Sequence, residues 1–441
     1  MTAPPYGVSV AGNAWNTLDG EGRDTPVTVT VVVAHFEQPV QLRRVLLALD
    51  RQSHPADHLE IIVVDDGSAV APTVPPHVTL VRQADEGFRL AAARNRGIEA
   101  ATGDVLLFLD ADTVPEPAYV ERMARLPSLA PEAVVVGTRL HADLSDVPID
   151  APIEVHAPRH RLPDPDWLRD EYRRSDDLLH ADDRSYRHLI GAVLACSRWF
   201  ALEVGGFDES FTTYGGEDWE WAWRCWIAGA IFAHAPGAVA WHDGADWSGR
   251  ASDPDDKSRE THTLAHLIPV RGSRPHGLLL GSSDTLVVVD SGMTASHALI
   301  TVDSVLRAAP FAHVRVSRDH ERLFAADPRV SFGEAVDPSR AALEGYRVRV
   351  DIAVPCRIAP PGTGGSTAFG RIIETIGTGT TGRVTLADDD GALVVIRSAR
   401  AAAREARWPT PFFEHTVESA ASVVRRLRGD ESVAAHYGDW L

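Results

Sequence analysis

Apolar residues follow two alternating rhythms along the first third of the chain. Val27–Ala34 (VTVTVVVA) is a β-branched run of the kind buried on both faces of a parallel sheet. Leu42, Val45, Leu46 and Leu49 follow at offsets 0, 3, 4 and 7, which predicts an amphipathic helix. Leu59–Val64 (LEIIVV) predicts a second strand and Val78–Arg82 a third. Leu90–Ala101 then reads as a helix closed by Gly103, and Val105–Leu109 (VLLFL) as a fourth strand. Strands alternating with helices predict an α/β, doubly wound, Rossmann-like domain. Right-handed crossovers bring the strand C-termini to one edge, where open parallel sheets bind their ligands.

The pattern also predicts boundaries. Residues 1–25 are rich in Gly, Asn, Asp and Pro without a period, and read as a flexible N-terminal arm. The first domain spans 26–248, with an irregular, Pro-, Asp-, Arg- and His-dense insertion at 141–187. Order resumes at Leu189–Cys196, continues through a Gly/Trp-rich block, Gly205–Gly229, and reaches a short strand at Ala238–Trp241. Residues 249–276 read as a polar connector and 277–441 as a C-terminal accessory α/β domain. There Leu286–Asp290, a helix at His297–Ala308 and the strand His313–Ser317 look like a faded copy of Thr30–Asp66. The later strand Val384–Ala387 leads into Asp388-Asp389-Asp390, but an Arg/Ala-rich helical segment follows it. A degenerate copy of the first domain and an unrelated accessory domain both fit.

Charge narrows the function classes. The 441 residues carry a net charge of −19 and a single lysine, Lys257, with no Lys/Arg-rich block, which argues against a nucleic-acid partner. Cys196, Cys225 and Cys356 lie far apart with no CxxC pair, which argues against a zinc site or a disulfide framework. The start lacks a basic segment followed by an apolar core, and no run of 18 apolar residues occurs. The expectation is a soluble, cytoplasmic protein without a transmembrane segment.

Four features carry candidate chemistry. Asp65-Asp66 follows one apolar strand and Asp110-Ala111-Asp112 another, on the same predicted sheet edge. One such acidic residue is an ordinary cap or turn residue, whereas carboxylates massed at one edge repel unless a cation or donors lie among them. Far downstream come Gly205-Gly206-Phe207-Asp208-Glu209 and Tyr214-Gly215-Gly216-Glu217-Asp218-Trp219, the latter opening a Trp-rich helix. In isolation Glu217 and Asp218 could simply complement that helix's dipole. The last is His242, in Ala240-Trp241-His242-Asp243.

In this order the strings DDGS (Asp65–Ser68), DEGFRLAAARNRG (Asp85–Gly97), LFLDAD (Leu107–Asp112), GGFDESFTTYGGEDWEWAWR (Gly205–Arg224) and AWHD (Ala240–Asp243) resemble the inverting GT-A glycosyltransferases of the family 2 group, especially the chondroitin-polymerase-like and galactosyltransferase-like members. The resemblance covers about half the chain. It implies a GT-A nucleotide-sugar-binding domain and non-processive, metal-dependent transfer from a nucleotide-diphosphate sugar, UDP-linked by expectation, to an acceptor hydroxyl. Carried over residue by residue, it implies that Asp66, with Asp65 beside it, contacts the nucleobase. Arg94 would lie near the base or ribose, and Asp110 near the ribose or a metal-bound water. Asp112 and His242 would ligate a divalent ion, Mn²⁺ or Mg²⁺; Asp218 would be the catalytic base and Glu217 would help hold the acceptor.

The chemistry agrees with that division. A diphosphate leaves poorly until a cation offsets its developing charge, and a hydroxyl attacks poorly until a carboxylate takes its proton from the opposite face. Metal and base carboxylates must therefore be separate, as they are here. The acceptor, whether glycan, lipid, peptide or small molecule, would meet the variable 141–187 segment or the second half. Two departures stand out: His35-Phe36-Glu37 occupies the mouth of the site where many relatives carry Asn or Tyr, and Arg404-Glu405-Ala406-Arg407-Trp408 has Arg where processive synthases carry the Gln of QxxRW. The second half lacks a comparable set, so it is not expected to be a second active transferase. Two other readings remain: a catalytically silent nucleotide-sugar-binding or scaffold protein, and a sugar-phosphate nucleotidyltransferase, which the lack of Gly and Lys in Ala34–Pro39 disfavours.

Overall fold

Val29–His35 (β1) is buried at every position, as its β-branched run predicts, and it seeds a sheet with Leu59–Asp65 (β2), Val78–Arg82 (β3), Val105–Asp110 (β4), Thr113–Pro115 (β5), Ala133–Ala142 (β6), Val193–Ser197 (β7) and Ile231–Asp243 (β8). The strand order is β3-β2-β1-β4-β7-β6-β8-β5. β1, β2, β3 and β4 run parallel, β7 lies antiparallel to both β4 and β6, and β8 pairs parallel with β6 and antiparallel with β5. Helices Pro39–Leu49, Leu90–Ala100 and Tyr119–Leu129 make the crossovers. The computed structural model describes residues 2–245, 254–333, 345–360, 367–429 and 431–438. It divides into two units, Met1–Trp226 with Ala230–Leu264, and Ile227–Gly229 with Ala265–Leu441.

The N-terminal segment is not the flexible arm that its composition suggests. The buried Asn13 amide donates to the carbonyls of Leu178 and Phe232, and its oxygen accepts from the Phe232 N–H. Three hydrogen bonds to backbone groups that would otherwise be unpartnered fix this stretch against β8, a constraint that composition does not express. The insertion is likewise more ordered than expected, with helical turns at Ile153–His156 and Ala157–His160 and a helix at Asp166–Arg174. The expected domain edge at 248 and the first residues of the connector, 249–253, lie outside the described residues. The rest of the connector is mostly helix, Pro254–Leu267, with Lys257 and Glu260 paired one turn apart.

In the second unit, Thr285–Val289 (β9), His313–Val316 (β10), Val330–Phe332 (β11), Val348–Ile352 (β12), Thr381–Asp388 (β14), Gly391–Ser398 (β15) and Glu414–Ser419 (β16) form one sheet. Cys356–Ile358 (β13) pairs separately with Val424–Arg426 (β17). The sheet order is β11-β10-β9-β12-β15-β14-β16. Each neighbour pair has the direction of its counterpart in β3-β2-β1-β4-β7-β6-β8: parallel through β12, antiparallel at β15, then parallel between β14 and β16. This correspondence favours the degenerate-copy reading. The acidic motifs are not repeated. Asp388-Asp389-Asp390 is the turn of the β14–β15 hairpin, with Asp388 and Asp390 ion-paired to Arg426 and Arg428. Asp351, on β12, is taken up by Arg349 and Arg397.

Candidate functional site

The C-terminal edge of the first sheet gathers the acidic motifs. Register sets His35 of β1 opposite Asp65 of β2, and Ala34 opposite Asp110 of β4. Asp65 is fully buried: its Oδ1 accepts from Ser68 Oγ (2.5 Å) and meets His35 Nδ1 (2.9 Å), while its Oδ2 accepts from Arg82 Nε (2.8 Å). Burial works against its charge, but the bonds from Ser68, His35 and Arg82 outweigh it and hold this carboxyl below the usual range. Asp66 accepts from Gln83 Nε2 (2.5 Å) and the Arg89 N–H (3.0 Å), and burial pushes it up.

β5 and β8 bring Asp112 to His242. Thr113 pairs with His242 across these strands, and the Asp243 N–H donates to the Asp112 carbonyl (2.8 Å). Asp112 Oδ2 lies 3.6 Å from His242 Nε2 and accepts from Gln38 Nε2 at 3.2 Å. His242 Nδ1 lies 3.1 Å from the Gly244 carbonyl, which can only accept, so Nδ1 carries the proton. Burial pushes the imidazole below its ordinary range, so the neutral ring turns a lone pair toward a carboxylate oxygen. Two electron-rich atoms facing each other across 3.6 Å suit a cation between them. Among the described residues no group of three or more His, Cys, Asp or Glu side chains could hold an ion. Asp112 and His242 thus form a close carboxylate–imidazole pair at the sheet edge.

The third cluster centres on Arg94. Its buried guanidinium donates to Glu217 Oε1 (2.8 Å) and to Asp110 Oδ1 (3.2 Å), and it packs 5.3 Å from the Phe207 ring centroid. A Cβ on Gly191 would come within 2.7 Å of that guanidinium, so any side chain there would push Arg94 out of this position. The Gly191 N–H donates to Asp218 Oδ2 (2.9 Å) and the Trp219 N–H to Asp218 Oδ1 (2.8 Å). Helix Glu217–Ile227 starts with both acidic residues, anchored below by buried Trp221, Trp223 and Trp226. Glu217 Oε2 is buried without a partner. Desolvation raises Asp110, with Asp112 adding to it; it raises Glu217, with Asp218 adding to it; and it raises Asp218.

Arg94, expected near the base or ribose, has its guanidinium engaged within the protein. It is a buried clamp, 3% exposed, that joins the end of β4 to the Gly-Gly-Glu-Asp segment. Removing it strands the buried Glu217 carboxylate, and the part-exposed Asp110, without their counter-charge, so Arg94→Met should destabilise the first unit by about 3–5 kcal/mol. Urea unfolding followed by tryptophan fluorescence measures this, and an unchanged midpoint would refute the clamp. The sequence motifs did not single out Arg139, whose charge acts on Asp110, Asp218 and His242 together. His35, Gln38, Arg82 and Gln83, which hold the acidic pairs, and Gly191, which holds Asp218, were also missed as site residues. Of these only His35 had a signal, its place at the end of the first strand.

With the geometry in place, comparison with known proteins identifies the pattern. Residues 30–183 match the model of glycosyl transferase family 2, and residues 180–240 match that of the N-terminal domain of galactosyltransferase. Chondroitin synthase of Escherichia coli is 28% identical over 294 residues, covering 60% of this chain and 41% of the synthase. Validoxylamine A glucosyltransferase of Streptomyces hygroscopicus subsp. jinggangensis is 33% identical over 222 residues, covering 44% of this chain and 50% of that enzyme. The chain thus spans half or less of the length of these relatives. Among solved structures, a Pyrobaculum calidifontis mannosyltransferase in complex with GDP-Man and Mn²⁺ aligns with a TM-score of 0.38 at 19% identity, over 60% of this chain and 65% of that one.

Proposed function

We propose that the chain is a glycosyltransferase of family 2, whose model residues 30–183 match, and that it carries out a metal-dependent, inverting, non-processive transfer from a nucleotide-diphosphate sugar, UDP-linked by expectation, to an acceptor hydroxyl. The observation that carries this reading is the Arg94 clamp: one buried guanidinium ties Asp110 of the metal-side motif to Glu217 of the base-side motif, residues 107 positions apart in sequence (217 − 110). Two carboxylate sets with different duties are thereby held at one sheet edge.

Asp65 and Asp66 order the loop after β2 that receives the nucleotide, with Asp65 locked by His35, Ser68 and Arg82. Asp112 and His242 hold the divalent ion, Mn²⁺ or Mg²⁺. When bound, that ion supplies charge neutralisation at the departing diphosphate, which also answers how a chain of net charge −19 accepts an anionic donor. Asp218 takes the proton of the acceptor hydroxyl, and Glu217, held by Arg94, helps to hold the acceptor. Among the described residues no helix is long and apolar enough to cross a membrane.

The test is a screen of nucleotide sugars against the purified chain, read as metal-dependent donor hydrolysis and as thermal stabilisation. One donor should give both, and a full panel giving neither would reject the reading. The pH profile follows from the base. Burial raises the Asp218 pKa, and a base works only when deprotonated, so turnover should fall on the acid side at a pH above the ordinary aspartate range. A profile flat down to pH 4 would contradict Asp218 as a raised, essential base.

A further inference from the structure

Between β6 and the helix Asp166–Arg174 lies a cavity of about 370 Å³, lined by Leu140, Pro165, Leu168, Tyr172, Ile190 and Val193. It adjoins the base. Ile190 immediately precedes Gly191, whose N–H holds Asp218 Oδ2, and Arg139, also in the wall, acts electrostatically on both Asp218 and Tyr172. Several polar groups around the cavity have partners within the protein. The Tyr172 hydroxyl donates to the His188 carbonyl (2.7 Å), and its ring stacks on His234 at 3.8 Å. Arg161, Arg169 and Arg173 pair with Asp164, Asp166 and Asp170, each three residues away. The surface that the cavity exposes is nevertheless mainly carbon, from Leu140, Pro165, Leu168, Tyr172, Ile190 and Val193, with the arginines and aspartates at its edge.

Such a wall suits a particular kind of ligand. Sugar rings present hydroxyls on every side, and against Leu140, Leu168, Ile190 and Val193 those hydroxyls would lose water without gaining partners. An apolar ring suffers no such loss, and a dry cavity of roughly 150 Å³ lined by aliphatic and aromatic side chains is already enough to take up benzene. We propose that this cavity receives the apolar, ring-sized portion of the acceptor, so that the acceptor is a small molecule or glycoside with an apolar aglycone rather than a bare polysaccharide end. The assignment rests on the reading of Asp218 as the base, whose carboxylate is held by Gly191, the residue after Ile190 of the cavity wall.

The experiment uses the full chain with Mn²⁺. Binding of p-nitrophenyl glycosides of glucose, galactose, mannose and N-acetylglucosamine is compared with that of the matching methyl glycosides by calorimetry, and aryl-proton contacts with the protein are read by saturation-transfer NMR. The aryl glycosides should bind about 10–200-fold more tightly, the range that a small apolar increment commands in a hydrophobic pocket. Leu168→Gln should erase that preference. Leu140→Gln, at a half-buried site less able to disturb folding, should do the same, with melting temperature confirming a folded protein. Equal affinity for aryl and methyl glycosides, including no binding of either, overturns the apolar subsite, and an aryl preference that survives in both folded variants overturns its location. Metal-dependent donor hydrolysis by the wild-type chain is scored in parallel. If it is absent, the proposed function fails; if it is present without an aryl preference, only the acceptor inference fails.

Discussion

Chelation with EDTA should abolish transfer, Mn²⁺ or Mg²⁺ should restore it, and Asp112→Ala should remove it at any metal concentration while leaving the fold intact. The reason is electrostatic. On the proposed reading the departing diphosphate meets the Asp112 carboxylate, which carries the same sign, while Arg139, the cation whose charge reaches His242, is shared with Asp110 and Asp218. Charge neutralisation by an ion supplies several kcal/mol, and at 1.36 kcal/mol per decade its loss should cost on the order of 10³-fold or more in turnover. The fold should survive because Asp112 is on the rim: its side chain is 19% exposed and accepts only from Gln38 and the adjacent Thr113. Mn²⁺ binding, followed by electron paramagnetic resonance, gives a readout independent of catalysis and should weaken in both Asp112→Ala and His242→Ala. An Asp112→Ala protein that is fully active in EDTA would end the metal assignment.

Much of this site was legible because its acidic residues sit where backbone periodicity stops. The runs VTVTVVVA, LEIIVV and VLLFL announce strands buried on both faces, and the residues that follow them must lie at the sheet edge whatever their side-chain partners. The convergence of Asp110 with Glu217 was not legible. It depends on Arg94, an arginine in the middle of a helix whose alanines are buried, and nothing in the spacing says that its head group reaches two carboxylates from opposite directions. Long-range polar contacts leave no period in a sequence.

The same limit explains the N-terminal segment and the second unit. Asn13 looks like one more turn residue, yet its amide is buried among partners 165 and 219 positions away. In the second unit, the repeated strand-helix-strand rhythm of Leu286–Ser317 was visible, but a repeated sheet order is a statement about which strands neighbour each other. The antiparallel β15 and the parallel β14–β16 pairing supply that correspondence only in three dimensions. Asp388-Asp389-Asp390 illustrates the converse error that a motif reading invites. An acidic run after an apolar strand recurs there, but the chain reverses at once into a hairpin and the carboxylates are used up by Arg426 and Arg428.

Asp218→Asn should lower transfer by roughly 10²–10⁴-fold, the usual range for losing a general base, while donor affinity moves little. The base touches only the acceptor, and its interaction strengthens as the proton leaves, so the loss should appear in kcat rather than in donor binding. The two N–H groups that hold the carboxylate, from Gly191 and Trp219, fix its position without neutralising it, and burial keeps it a stronger base than an exposed aspartate. Glu217→Gln should behave otherwise. Its Oε1 takes the Arg94 bond and, on the proposed reading, the side chain helps to hold the acceptor, so the neutral amide should raise the acceptor KM with a milder fall in kcat. If both residues served only the helix N-terminus, each substitution would cost about 0.3–1 kcal/mol of stability and leave turnover near normal. Turnover, donor affinity and melting temperature measured on the two variants separate these outcomes, and near-wild-type transfer by Asp218→Asn would remove it from the role of base.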